Sequence, residues 1–175
     1  MTLVNDLREV YGTILKLPEA TKGAEIGFFV KEISRKRQTV FRKIREEHWQ
    51  DRVLILEAFK QVAGQYPYYP LRGDSVHRKT AYRQLKALEH DIKQLEFDIY
   101  KQEGQCNCEL RKRLALPFDD ESRKGLNLLK RVDGPYDRYD VYQCHSCNMR
   151  WVFEYLEDDD GSTRWMPWNE KEYPY

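Results

Sequence analysis

Every cysteine of the 175-residue chain falls in one of two close pairs, Cys106-Asn107-Cys108 and Cys144-His145-Ser146-Cys147, with 35 residues between them. Thiols gathered in this way are either disulfide partners or metal ligands, and the compartment decides which. The N-terminus, Met1 to Val10, has no apolar run after a basic start and is not read as a secretory signal. No stretch approaches the ~20 apolar residues of a membrane span. The expected location is cytoplasmic, where disulfides are disfavoured. The four thiols are therefore expected to bind one metal ion. Four soft thiolates in a tetrahedron suit structural Zn(II), with bonds of ~2.3 Å and no open coordination position for catalysis. An iron–sulfur cluster on the same ligands and a set of free or buried thiols are the alternatives. The two-residue gap of the second pair lets both sulfurs reach one metal from a tight turn. Asn148 follows, a residue that tolerates the left-handed backbone such a turn needs. The one-residue gap of the first pair departs from the usual zinc pattern. His145, inside the turn, is expected to point outward rather than to replace a cysteine.

The first hundred residues carry a helical signal. Leu3, Leu7, Val10, Ile14 and Leu17 step by fours and threes. So do Ile26, Val30, Ile33, Arg37, Val40 and Ile44, with Arg37 the single polar intruder, and so do Ala81, Leu85, Leu88, Ile92, Leu95 and Ile99. Each set lies on one stripe of a helix. Between Gly27 and Gly64 there is no Gly or Pro, yet the stripe fails at Glu47 and Asp51 and restarts at Val53, Leu56 and Ala63. This predicts a break near Glu46 to Gln50, then a buried helix ending at Gly64. Residues 65–73 hold Pro67, Pro70 and Gly73 and read as a loop. Asp74 or Ser75 then caps a last long helix ending near Gly104.

From Gln105 onward the composition shifts to strand-like runs and turn residues. Met149, Trp151, Phe153 and Tyr155 alternate to one side. Asp160-Gly161 and then Ser162 to Met166 follow, which predicts a hairpin. Arg138 to Gln143 reads as a third strand, and Pro117, Gly125, Gly134 and Pro135 mark loops. The expected fold is thus α+β, mainly α: an antiparallel helical bundle over 1–104, and a metal-stapled, zinc-ribbon-like β-hairpin region over 105–175 packed on it.

Two charged surfaces compete for a role. Lys31, Arg35, Lys36, Arg37, Arg42, Lys43 and Arg45 face a single acid, Glu32, within residues 31–45. Such a stripe suits phosphates, although a solvated helix face explains it as well. Against it stands an acidic run of Glu154, Glu157, Asp158, Asp159, Asp160, Glu170 and Glu172 around Trp165, Trp168, Tyr173 and Tyr175. Acids around tryptophans suit a basic protein partner, with Glu157, Asp158, Asp159, Asp160, Trp165 and Trp168 as contact residues. A soluble hairpin tip and tail is the plainer reading of the same run. Three consecutive aspartates cannot all point at one calcium ion. The histidines (His48, His77, His90 and His145) are scattered, and there is no phosphate-cradling Gly loop and no Gly-x-Ser-x-Gly. A non-enzymatic role is expected.

The run from Val141 to Glu157, with Cys144, His145, Cys147 and Trp151, followed by Arg164-Trp165-Met166-Pro167, resembles the cysteine-pair-plus-tryptophan hairpin of small bacterial immunity proteins. The likeness covers about the last third of the chain, and Asn148 stands where a Gly is usual. It implies a protein that binds and neutralises a toxin, and the acidic run makes the expected partner a basic toxin domain. The alternative is a zinc-ribbon nucleic-acid-binding regulator that uses the 31–45 face.

Overall fold

The computed structural model describes residues 2–19, 23–66, 75–103, 105–115, 125–134, 138–155 and 163–169. The chain divides into two compact units, Met1–Ile99 and Tyr100–Tyr175. The first is a helical bundle: α1 (Thr2–Lys16), α2 (Gly23–Glu47), α3 (Arg52–Gly64) and α4 (Val76–Tyr100). The apolar stripes become its core. Leu7, Val10, Ile14, Leu17, Ile33, Ile44, Leu56, Phe59, Leu88 and Leu95 are fully or almost fully buried, with Ile26, Val30 and Ile99 packed at the margin. Each such side chain contributes roughly 1.5–3 kcal/mol by leaving water.

Ion pairs fix the directions of the helices. Asp6 and Glu9 of α1 reach Lys43 and Lys36 of α2, so the two run antiparallel. Arg37 and Arg45 of α2 reach Asp91 and Asp98 of α4, so these two run parallel, as alternate members of an up-and-down bundle do. The polar intruder in the α2 stripe is thereby explained. Arg37 Nε lies 2.6 Å from an Asp91 carboxylate oxygen. Burial penalises the Asp91 charge more than Arg37, His90 and Arg45 together restore, so its carboxyl titrates above the ordinary range despite that contact. A raised carboxyl stabilises the fold most when protonated, and that contribution is lost as pH rises through the folded-state pKa. Asp91→Asn should therefore be nearly neutral at pH 7 and should remove this pH dependence. Arg37→Ala, which strands the carboxylate, should cost roughly 1–3 kcal/mol. Urea denaturation of the two variants from pH 4 to 8 checks both; an Asn variant as damaged as the Ala variant contradicts the sign.

The helix break falls where the stripe fails: α2 stops at Glu47, and Trp49–Asp51 forms a single 3-10 turn. Ser75 caps α4, its Oγ accepting from the Arg78 N–H at 3.2 Å. Two expectations need correction. Helix α3 ends at Gly64 as expected but is buried on one face only: Leu56, Phe59 and Val62 point inward, while Val53 and Leu54 are exposed. Helix α4 ends at Tyr100, short of Gly104. Asn107 reels in the chain beyond it, donating Nδ2 to the carbonyls of Gln102 and Gln105 and accepting from the Gln102 N–H on Oδ1. The backbone is thereby turned into a loop just where Cys106 must face its partners.

The second unit holds α5 (Cys108–Leu114) and an antiparallel meander of β1 (Leu126–Asp133), β2 (Arg138–Cys144), β3 (Arg150–Tyr155) and β4 (Thr163–Pro167), in that spatial order. The expected hairpin is β3–β4 and the expected third strand is β2; β1 and α5 are additions. Strand β2 is buried on both faces. On one face Tyr142, Cys144, Trp151 and Phe153 pack with Cys108. On the other, Tyr139, Val141 and Val152 pack with Leu129, Val132, Met166 and Trp168. Asp140 is buried, held by a two-pronged contact from its cross-strand partner Arg131 at 2.8 and 2.9 Å and by the Tyr142 hydroxyl at 3.2 Å. The last described pair of the β3–β4 hairpin is Tyr155–Thr163, and the Asp160-Gly161 turn lies outside the described residues. No helix among the described residues is long and apolar enough to cross a membrane.

Candidate metal centre

The two cysteine pairs converge within the second unit. Cys106 sits in the loop drawn in by Asn107, and Cys108 opens α5. Cys144 ends β2, and Cys147 lies in the turn before β3. That turn is closed by the Asn148 N–H donating to the Cys144 carbonyl at 3.1 Å and the Cys144 N–H donating to the Met149 carbonyl at 2.9 Å. Asn148 adopts φ 59°, the left-handed conformation expected of it, in which β-branched residues are strained.

All four sulfurs lie within 4.8 Å of one another. Cys106 Sγ is 3.1 Å from Cys147 Sγ and 3.6 Å from Cys144 Sγ. A tetrahedron with ~2.3 Å zinc–sulfur bonds has edges of about 3.8 Å. A disulfide needs ~2.05 Å, far less than the separations here. Among the described residues this is the only His, Cys, Asp or Glu group of metal-binding geometry. The residues fit Zn(II). Four protein ligands leave no place for substrate or water, so the ion would be structural.

Electrostatics within the cluster agree with a cation. Burial pushes the Cys144 thiol up, but the backbone N–H groups of Cys147 and Ser146 and the thiols of Cys106 and Cys108 overcome it, and the pKa falls to about 7. Burial pushes the Cys108 thiol up strongly, against the pull of the Trp151 indole; Cys147 is likewise raised, first by burial and then by Cys106. Zn(II) supplies the positive charge that lets all four ionise.

The one-residue gap is accommodated because Cys108 enters a helical turn: its N–H points back at Cys106 Sγ, 3.4 Å away. The likeness to a zinc ribbon thus holds for the second pair, which leads into a strand, and not for the first, which leads into α5. His145 is exposed as expected, with Nδ1 3.2 Å from Asn127 Nδ2.

Sequence reasoning gave Trp151 a place on the strand but missed its task at the metal. Its Nε1–H donates to Cys108 Sγ at 3.3 Å, on the buried side of the cluster. A hydrogen bond to a ligand sulfur orients it and favours its thiolate. Trp151→Phe keeps most of the ring volume and loses the donor. It should weaken zinc binding about 10-fold, measured by competition with a chromogenic chelator; an unchanged affinity denies the bond that role.

Glu157, Asp158, Asp159 and Asp160, the acids expected to meet a partner, lie outside the described residues. Trp165 occupies the β4 position paired with Phe153. Trp168 follows β4 and is half-buried. Its N–H donates to the Arg150 carbonyl at 3.0 Å, and the Arg150 guanidinium lies 4.9 Å from the centre of its ring. Its ring also packs at the margin of the Tyr139–Val141–Val152 cluster. In the bundle, five of the seven bases of the 31–45 stripe are ion-paired: Lys36 with Glu9 and Glu32, Arg37 with Asp91, Arg42 with Glu46, Lys43 with Asp6, and Arg45 with Asp98.

No protein-family model, no curated protein and no solved structure matches the chain. The class defined by fold and site is a helical bundle followed by a four-stranded, tetra-cysteine, zinc-ribbon-like unit. No homology ties it to immunity proteins.

Proposed function

We propose that the protein is a non-enzymatic inhibitor that binds another protein, an immunity protein that occludes the active site of a cognate basic toxin. The observation that carries the reading is the acidic, aromatic segment after the cysteine turn. From Glu154 to Glu172 there are seven acids against Arg164 and Lys171, in a chain of net charge only +1. The segment belongs to a hairpin whose first strand leaves the metal turn, so the staple would hold the binding edge in shape before contact and lower the ordering cost. The acids would speed encounter with a basic cleft, and a tryptophan would supply the desolvated anchor. The pairing of the 31–45 bases counts against the nucleic-acid reading, since charge already answered by Asp6, Glu9, Asp91 and Asp98 is not free for phosphate.

The test is surface plasmon resonance against the partner recovered by pull-down and mass spectrometry. Reversing Asp158 and Asp159 to Lys should slow association about 10-fold at low salt, and less as salt rises. Trp165→Ala should mainly speed dissociation, with thermal denaturation of the variant separating lost contact from lost fold. Unchanged kinetics in both, with folding intact, sinks the hairpin surface. Steeply salt-dependent binding to DNA or RNA, with no protein partner, favours the regulator instead.

A further inference from the structure

We propose that the metal centre is a redox switch: a small hydroperoxide oxidises exposed Cys106 and Cys147 to a disulfide, zinc leaves, and the new bond takes over the join between their two segments. The proposal rests on the zinc reading of the centre and is independent of any partner at the hairpin. The four sulfurs are not equivalent. Cys106 and Cys147 are exposed, whereas Cys108 is 1% and Cys144 4% exposed. The division runs across the sequence pairs, with one exposed and one buried member in each. It follows from local structure. Cys106 lies in the loop before α5 and Cys147 in a turn, while Cys108 opens α5 and Cys144 ends β2, both packed with Tyr142, Trp151 and Phe153.

Geometry selects which disulfide forms. Cys106 Sγ is 3.1 Å from Cys147 Sγ and 3.6 Å from Cys144 Sγ. An S–S bond of ~2.05 Å needs a further approach of only about 1 Å by the exposed two. The competing bonds draw on buried sulfurs. Cys106–Cys108 would close a ring over one intervening residue, and the Trp151 Nε1–H covers Cys108 Sγ at 3.3 Å. Cys144–Cys147 would need a sulfur packed in the Trp151 cluster, at a residue whose N–H is bonded to Met149 and whose carbonyl is bonded to Asn148.

One hydroperoxide balances the reaction. Metal-bound sulfurs are thiolates, the nucleophilic form. One exposed thiolate attacks the hydroxyl-bearing oxygen of the peroxide. The S–O bond of a sulfenic acid forms, the O–O bond breaks, and the departing alkoxide (hydroxide, from hydrogen peroxide) takes up a proton. The other exposed thiolate attacks that sulfur. The S–S bond forms, the S–O bond breaks, and the departing hydroxide is protonated to water. Two electrons pass from the sulfurs to the peroxide. Two thiolates, one hydroperoxide and two protons thus give a disulfide, an alcohol or water, and a water. Cys108 and Cys144 alone no longer hold the ion. The disulfide links the loop before α5 to the turn between β2 and β3, the same segments that the metal joins, so the Trp151 cluster stays closed.

The test treats the full-length, zinc-loaded protein with equimolar hydrogen peroxide. A chromogenic chelator follows zinc release; alkylation and fragment mass spectrometry under non-reducing conditions follow each cysteine. Cys106 and Cys147 should lose alkylation about tenfold faster than Cys108 and Cys144, in step with zinc release. A dithiol reductant with added zinc should restore the starting state. Oxidised, zinc-free protein should keep the near-ultraviolet Trp151 signal, and reduced protein stripped by a chelator should lose it. The proposal is overturned if the first product is Cys144–Cys147, Cys106–Cys108 or a bond between chains, or if all four thiols react at one rate. Zinc retained after Cys106 and Cys147 are oxidised, or thiols that survive excess peroxide, overturns it too. A near-ultraviolet signal lost on oxidation as fully as on stripping contradicts the covalent join.

Discussion

Cys144→Ser should abolish tight zinc binding and melt the second unit, while most of the helical signal survives. Apparent binding free energies of structural zinc sites run to about 10–16 kcal/mol at neutral pH. In a unit this small, such a term is of the same size as the whole stability of a typical domain. Cys144 is buried at the end of β2, where its Sγ lies 3.6 Å from Cys106 Sγ and its N–H closes the turn to Met149. A serine hydroxyl there is a poorer, harder ligand on a shorter bond, and the other three thiols lose their common partner. The apolar cluster of Cys108, Tyr142, Trp151 and Phe153 then has to hold the sheet without its staple. Circular dichroism at 222 nm should fall only slightly, because the bundle has its own core, while near-ultraviolet signals from Trp151 should collapse. Concerted loss of the helical signal on metal removal would mean that the bundle depends on the staple.

Leu88→Ala should cost on the order of 2–5 kcal/mol in the first unit and leave zinc binding untouched. Leu88 is fully buried at the middle of α4, in one core with Ile33, Val40, Leu56, Phe59 and Leu95. Removing its branched end forfeits the transfer free energy of the lost methyl groups and leaves a cavity that rigid neighbours on several helices cannot close. Set against a domain stability of about 5–15 kcal/mol, that is a large fraction. Urea denaturation followed by helical signal reads it directly. A cost below about 1 kcal/mol would place Leu88 at a site free to collapse or to reach water, and the packing described for α4 would be wrong.

The parts of the fold legible in the sequence are those where one physical signal repeats. The stripes of α1, α2 and α4 run over four or more turns, and Ser75 marks a helix start by the chemistry of its hydroxyl. The stripe failure at Glu47 and Asp51 falls at the turn between α2 and α3. At the metal centre, residue type and spacing were enough to bring four cysteines together, and the left-handed Asn148 followed from its side-chain chemistry. What escaped is what lacks a repeat. Strand β1 carries a bulge between Leu128 and Lys130, which shifts its alternation and hides it from a period-two reading. Helix α5 spans seven residues, mostly charged, too few to show a stripe. The end of α4 depends on Asn107, several residues away, and the Trp151 bond to Cys108 crosses 43 positions. Neither is visible to a local window. The exposure of Val53 and Leu54 escapes for the opposite reason: α3 carries more apolar residues than its buried face holds.

X-ray absorption at the zinc edge, on protein purified without chelator and with metal content measured on the same sample, addresses the tetra-cysteine centre most directly. The expected result is about one zinc per chain with four sulfur neighbours at ~2.3 Å and no light-atom neighbour. Protein that carries no metal and four freely titrating thiols, or iron with a second iron in its shell, would contradict it.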